Sequence, residues 1–265
     1  MLVSTKIDEL KVVLLAGGQG TRIREETENR PKPMIEIGGF PILWHMMSNF
    51  NYFGIKKFII CAGYKSEVIV DYFSNFNLRN SDFKIDFSTG ETTIYPKNKS
   101  VDWEVTVVHT GDSNIGTGGR IFRTKDYLEG KTFICTYGDG LSDIDIKNLV
   151  TSHELSGKAA TVSVTNPTNR YGVIELDGNS VRTFKEKPKV DSWINSGFFV
   201  FNKDIWDYLD DTCTLENEPL QKLTNAKQLN AYKHHGFWQG IDTYRDFELI
   251  QNLWNKDLAP WKNWD

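Results

Sequence analysis

Residues 11–22 read KVVLLAGGQGTR: an apolar run, Lys11–Ala16, followed at once by Gly17, Gly18 and Gly20, then Thr21 and Arg22. A run of that length reads as a strand buried on both faces. Glycines directly after it let the chain turn tightly and let backbone N–H groups approach an anion with no Cβ in the way. Neither standard nucleotide fingerprint fits. Ile23 stands where the third glycine of GxGxxG would be. The Gly-Lys-Thr at 130–132 has Lys125 in place of the upstream P-loop glycine, and it opens a strand rather than a helix. On these residues alone, a tight turn and a phosphate cradle are equally open readings.

Eight residues after Arg22 stands Arg30-Pro31-Lys32-Pro33-Met34. The prolines restrict Arg30 and Lys32 to extended backbone, which suits Lys32 to a fixed electrostatic role. An exposed proline turn is the alternative. Arg22 adds a guanidinium fork that can hold phosphate oxygens in pairs.

Strand-like and helix-like patterns alternate through the first half. Lys57–Ala62, Glu104–His109 and Thr132–Tyr137 read as strands. Pro41–Phe53, Ser66–Asn75 and a segment from about Arg120 to Leu128 read as helices, with Pro41 at a first helical position. Alternation of this kind predicts an α/β fold with a mostly parallel mixed sheet flanked by helices. Ligands then sit at the carboxyl ends of strands, after Ala16, His109 and Tyr137. Residues 76–103 break the rhythm and read as an excursion or lid. Four closely spaced strand patterns between Ala159 and Phe201 predict a smaller β-rich lobe. Three of the eight tryptophans crowd into the tail LWNKDLAPWKNWD, as a core anchor or a subunit contact.

A second strand pattern ends in Tyr137-Gly138-Asp139-Gly140, placing a carboxylate where an α/β protein holds a divalent metal. Asp143-Ile-Asp145 resembles the DxD of metal-dependent glycosyltransferases, but Asp145 precedes a helical pattern over 146–156 and reads as its N-cap. Asp139 is therefore the favoured ligand. Asp242, in FWQGIDT, has two readings: a second carboxylate, or the cap of the helix that begins at Tyr244, which the local sequence favours. Lys185-Glu186-Lys187-Pro188 is either a charged hairpin end or a contact for sugar hydroxyls and phosphate. His234-His235 lacks metal-ligand spacing, and no Ser-His-Asp or Cys-His arrangement is visible.

Composition narrows the classes. In 265 residues, 39% hydrophobic and 25% charged, there is enough apolar material for a sizeable core. A net charge of -4 argues against nucleic acid or an anionic membrane surface as partner, though not against an anionic small ligand. No apolar run nears the ~20 residues of a membrane span. The first eleven residues carry no signal-peptide pattern, so a cytoplasmic protein is expected. Cys61, Cys135 and Cys213 read as small buried hydrophobes rather than disulfide partners.

The ordered set LAGGQGTR, RPKPM, EIGGFPILWH, TGGR, TYGDG, EKP, GFFV and FWQGIDT resembles the sugar-1-phosphate nucleotidyltransferase family over nearly the whole chain, and most of all its cytidylyl-transferring branch. The resemblance implies a Rossmann-like nucleotide-diphospho-sugar transferase fold in one domain, 1–265. Its nucleotide half would span about 10–158 and its sugar half about 159–243, with a C-terminal helix and tail over 244–265. It implies transfer of a cytidylyl group from CTP to α-D-glucose 1-phosphate, with Mg²⁺, giving CDP-glucose and pyrophosphate, by a homo-oligomer. Catalytic roles would fall to Arg22 and Lys32. Nucleotide contacts would come from Leu15, Ala16, Gly17, Gly18, Gly20, Thr21, Arg22, Lys32, Thr117, Gly118, Arg120, Tyr137 and Gly138. Gly172, Glu186, Lys187 and Asn195 would bind the sugar phosphate, and Asp139 and Asp242 the metal, against the local reading of Asp242. Asn169-Arg170-Tyr171-Gly172 and Asn195-Ser196-Gly197 depart from the branch's usual pattern, which keeps another sugar or polyol phosphate, or another nucleotide, as the alternative. A glycosyltransferase using Asp143 and Asp145 is a more distant one.

Overall fold

Lys11–Ala16 (β1) forms an interior strand, and its side chains alternate between two cores. Val12, Leu14 and Ala16 join one apolar cluster; Val13 and Leu15 join another on the opposite face. In this computed structural model the description covers residues 5–18, 20, 23–96, 101–111, 114–128, 131–168, 171–186, 188 and 192–264.

The main sheet has seven strands. After β1 come Lys57–Ala62 (β2), Glu104–His109 (β3), Phe133–Tyr137 (β4), Ala160–Thr165 (β5), Ile194–Phe201 (β6) and Leu229–His234 (β7). Their spatial order is β7-β5-β6-β4-β1-β2-β3. β1 runs parallel to both β2 and β4, and β6 alone is antiparallel to its neighbours. Helices cover both faces. Ile42–Tyr52 (α1), Ser66–Ser74 (α2), Ile146–Ser156 (α4) and Tyr244–Asn255 (α6) bury apolar residues in the first cluster. Thr117–Phe122 (α3) and Glu218–Asn225 (α5) bury theirs in the second. The expected mixed, mostly parallel sheet is present, and no helix among the described residues is long and apolar enough to cross a membrane.

Three local expectations change. The helix expected over 120–128 begins at Thr117 and stops at Phe122, with a 3-10 turn at Lys125–Tyr127. Gly118 and Gly119 read as loop residues because glycine is a poor helix former. In the fold they are helical, and glycine is required there by packing, since a Cβ at Gly118 would come 2.5 Å from Cys213 Sγ and one at Gly119 2.5 Å from Asp211 O. The β-rich stretch is not a separate lobe throughout, since β5 and β6 extend the main sheet. Among the described residues of that stretch, the strands Val173–Asp177 and Ser180–Lys185 alone stand apart, as a hairpin. Residues 76–103 contain a short helix, Phe76–Arg79, and a hairpin of Ser81–Asp86 with Glu91–Pro96.

The tail is a core anchor. Trp261 is fully buried and stacks on Phe237. Trp254 lies so close over Gly38 that a Cβ there would meet its indole at 1.8 Å. Cys61 and Cys135 are buried in the second cluster, and burial pushes the Cys61 thiol up to about 12.

Candidate active site

A cleft of about 770 Å³ opens at the carboxyl ends of β1 and β4. Leu15, Gly17, Gly18, Gly20, Lys32, Thr117, Arg120, Tyr137, Gly138, Asp139, Asn195 and Asp242 all line it. Most of the expected nucleotide and metal residues, and one sugar residue, thus converge from six separate stretches of chain. Ala16 points into the core, and Gly118 packs against Cys213 rather than the cleft. Gly172 and Glu186 lie together on the hairpin outside it, a Cβ at Gly172 falling 3.1 Å from Glu186 Oε2. Thr21, Arg22 and Lys187 lie outside the described residues, as does Gln19.

The glycine loop and the Pro-Lys-Pro turn are one structure. Gly20 has φ +61°, in the left-handed region, and a Cβ there would sit 3.0 Å from the Lys32 Cβ. Thr27 Oγ1 ties the loop down by donating to the carbonyls of Gly20 and Ile23. Gly138 donates its N–H to Leu15 O, where a side chain would strike that carbonyl and Pro33. Beneath Gly17 lies the buried Arg120 guanidinium, which donates to Thr110 Oγ1 at 2.7 Å and to Gly111 O at 2.9 Å. A Cβ at Gly17 would reach 2.1 Å from Arg120 Nη1, so this glycine is required by close approach rather than by its φ.

At the cleft floor Lys32 Nζ donates to Asp139 Oδ2 at 2.7 Å and to Asp242 Oδ1 at 2.9 Å. The carboxylates meet because Trp238–Gly240 pairs antiparallel with Gly140–Ser142, setting Gly240 opposite Gly140. Ile241 N–H then donates to Asp139 O, fixing the two chain ends side by side. Thr243 caps α6, in a capping box with Asp246, which relieves Asp242 of the role that local sequence suggested. Burial pulls the Lys32 pKa down, but Asp139 and Asp242 outweigh it and hold the ammonium above its ordinary 10.5.

The donor set suits one kind of metal. Asp139 and Asp242 keep 37% and 42% of their side-chain surface exposed, so both can still reach a ligand in the cleft. Among the described residues no three His, Cys, Asp or Glu side chains gather into a protein-only cage. Two hard carboxylates beside a cleft match Mg²⁺, which takes one or two carboxylates and completes its shell with substrate phosphates and water. The DxD residues stand elsewhere: Asp143 Oδ1 lies 3.0 Å from His234 Nε2, and Asp145 caps α4 by accepting from Asn148 N–H.

On the opposite wall Tyr137 Oη donates to Glu216, and the Asn195 amide donates to Tyr137 Oη at 3.3 Å. Burial and then the Glu216 charge raise the Tyr137 pKa. Trp238 donates its indole N–H to Ser196 O and lines both this cleft and an adjoining depression of about 1110 Å³ that also holds Tyr171 and Arg245. Ile115, Thr214 and Glu216 were not singled out in the sequence. An acidic residue two positions before a helix reads there as a helix-start residue, and nothing local couples it to Tyr137.

Comparison with known proteins agrees with this geometry. A family model described as nucleotidyl transferase matches residues 11–256. The chain is 48% identical over 260 residues to glucose-1-phosphate cytidylyltransferase of Salmonella typhi, covering 97% of this chain and 100% of that one. It is 39% identical over 257 residues to a protein of Bacillus subtilis (strain 168) named "Probable glucose-1-phosphate cytidylyltransferase", covering 96% and 100%. The crystal structure of HddC from Yersinia pseudotuberculosis superposes with a TM-score of 0.68 at 26% identity, over 92% of this chain and 99% of that one.

Proposed function

The chain belongs to the nucleotidyl transferase family, and on that premise we propose that it transfers a cytidylyl group from CTP to α-D-glucose 1-phosphate, giving CDP-glucose and pyrophosphate. One observation carries the reading: a single lysine bridges two carboxylates at the end of the glycine loop, inside the cleft where a triphosphate would lie. The similarity to the Salmonella typhi and Bacillus subtilis proteins, over nearly full length, supports CTP and glucose 1-phosphate as the pair.

In this reading a phosphate oxygen of the sugar phosphate attacks the α-phosphorus of CTP. The bond from that phosphorus to the oxygen bridging to the β-phosphate breaks, and pyrophosphate leaves opposite the incoming oxygen. No covalent nucleophile is needed; alignment and charge neutralisation do the catalysis. The backbone N–H groups of Gly17, Gly18 and Gly20 would bind the triphosphate, and the side chains of Thr21 and Arg22 would add to that contact. Lys32, kept charged by its carboxylate partners, stabilises the negative charge that builds on the α-phosphate during transfer. Asp139 and Asp242 would hold Mg²⁺, which when bound offsets charge on the triphosphate oxygens. Thr117 and Arg120 would serve the nucleotide; Asn195, Glu186, Lys187 and the backbone of Gly172 would serve the sugar phosphate.

The enzyme would act in the cytoplasm as a homo-oligomer. Apolar side chains standing exposed on the 81–96 hairpin, among them Phe83, Phe87 and Tyr95, support a subunit contact. The reverse reaction tests the chemistry. Purified protein given CDP-glucose, pyrophosphate and Mg²⁺ should form CTP and glucose 1-phosphate. Failure to do so, with cleavage of a different nucleotide sugar instead, would overturn the proposed pair.

A further inference from the structure

Glu216 is an exposed carboxylate next to a cleft whose proposed ligands are both anions, a placement that opposes binding unless the group has a task. Its two oxygens have separate partners. Oε1 accepts from Tyr137 Oη, and Oε2 accepts from Thr117 Oγ1, which in turn accepts from Leu215 N–H at 2.9 Å. One carboxylate therefore braces the first turn of α3 to the end of β4, across two walls of the cleft.

The brace continues to Asn195. The Tyr137 ring is held in place by edge-to-face packing on Phe199, and by Gly197, where a Cβ would come within 2.5 Å of the ring. With the ring fixed, the hydrogen bond to Glu216 sets the direction of the hydroxyl proton and leaves the oxygen's lone pairs for the Asn195 amide. Asn195 Oδ1 accepts from Gly197 N–H at 2.8 Å, so the amide is tethered at both ends. An amide nitrogen has two N–H groups. One goes to Tyr137, and the other can meet a sugar hydroxyl.

We propose that Glu216 is a positioning residue, which acts through Tyr137 to orient the Asn195 amide for the sugar phosphate and through Thr117 to fix the nucleotide wall. The inference rests on the reading of this cleft as a nucleotidyltransferase site. Steady-state kinetics should use the nucleotide and sugar 1-phosphate pair that the wild-type protein turns over fastest. A pair other than CTP and glucose 1-phosphate would then overturn the proposed function while still testing Glu216.

Glu216→Ala should raise the KM for the sugar phosphate about 10-fold, the scale of a polar group left without its partner, with a much smaller change in kcat. Tyr137→Phe should raise the same KM. Because both changes break one chain of contacts, Glu216→Ala/Tyr137→Phe should be no worse than Glu216→Ala alone. Glu216→Gln, which keeps an acceptor and the side chain's shape, should recover part of the loss. It also serves in the same cycle with Tyr137→Phe if the alanine variant does not fold. An unchanged sugar-phosphate KM in a folded Glu216 variant would overturn the proposal. So would a double variant whose defect equals the product of the two single ones.

Discussion

Lys32 Nζ lies 2.7 Å from Asp139 Oδ2, although 107 residues separate the two in the chain. Asp242 closes the arrangement from 210 residues away, at 2.9 Å. Without Lys32 the two carboxylates would lose the ammonium that lies between them. The atom that ties these two distant segments together is thus the one the proposed chemistry would use. Its raised pKa keeps the ammonium charged through neutral pH, where an incoming phosphate would need it.

Lys32→Met removes that charge while keeping the side chain's length. It should lower kcat by about 10²–10³-fold, the scale of losing one preorganised group at developing charge. The KM for nucleotide should change less. A pyrophosphate-release assay checks this, and a variant with wild-type kcat would remove Lys32 from the transfer step.

Asp139→Asn and Asp242→Asn should each abolish the response of activity to added Mg²⁺, and chelation of wild-type protein should mimic them. Asp145→Ala should leave activity near wild type and cost about 1 kcal/mol of stability, because its carboxylate caps α4. Titration of activity against Mg²⁺, with a thermal melt alongside, separates the two classes. Loss of activity at Asp145 with retention at Asp139 would favour the DxD reading.

Stability should weaken in mild acid. Burial pushes His45 and His153 from 6.5 down to about 4 in the folded chain. Between those values the unfolded chain binds protons that the folded chain does not. Their contribution is therefore complete above about pH 6.5 and declines as pH falls toward 4. For two buried imidazoles this amounts to on the order of a few kcal/mol. His45 also keeps a fixed tautomer, with Nε2–H donating to Ile37 O and Nδ1 accepting from the Trp261 indole. Urea unfolding at about pH 7.5 and about pH 5 should show a lower midpoint in acid. Equal midpoints would contradict it.

Much of this architecture was legible in the sequence, for a physical reason. β1 and β2 match their expected bounds because uninterrupted apolar runs have few other ways to be buried, and β3, a half-buried edge strand, matches through its β-branched Val and Thr residues. The glycine loop and Asp139 were legible because each follows directly on a buried strand, and Lys32 because two prolines flank it. Asp242 was misleading locally: the sequence Asp-Thr-Tyr-Arg-Asp offers two caps, and only the capping box between Thr243 and Asp246 decides between them. Gly118 and Gly119 concealed α3 because what allows them, close approach of the 211–213 backbone, lies about ninety residues away. Glu216 was illegible because its partners are one hydroxyl from β4 and one from α3, and no local pattern records that meeting.

The most direct measurement is pyrophosphate release from CTP, UTP, dTTP and GTP, each offered with glucose 1-phosphate and with other sugar or polyol phosphates, in the presence of Mg²⁺. CTP with glucose 1-phosphate should give the highest kcat/KM. A clear preference for another nucleotide or another acceptor would contradict the proposed reaction.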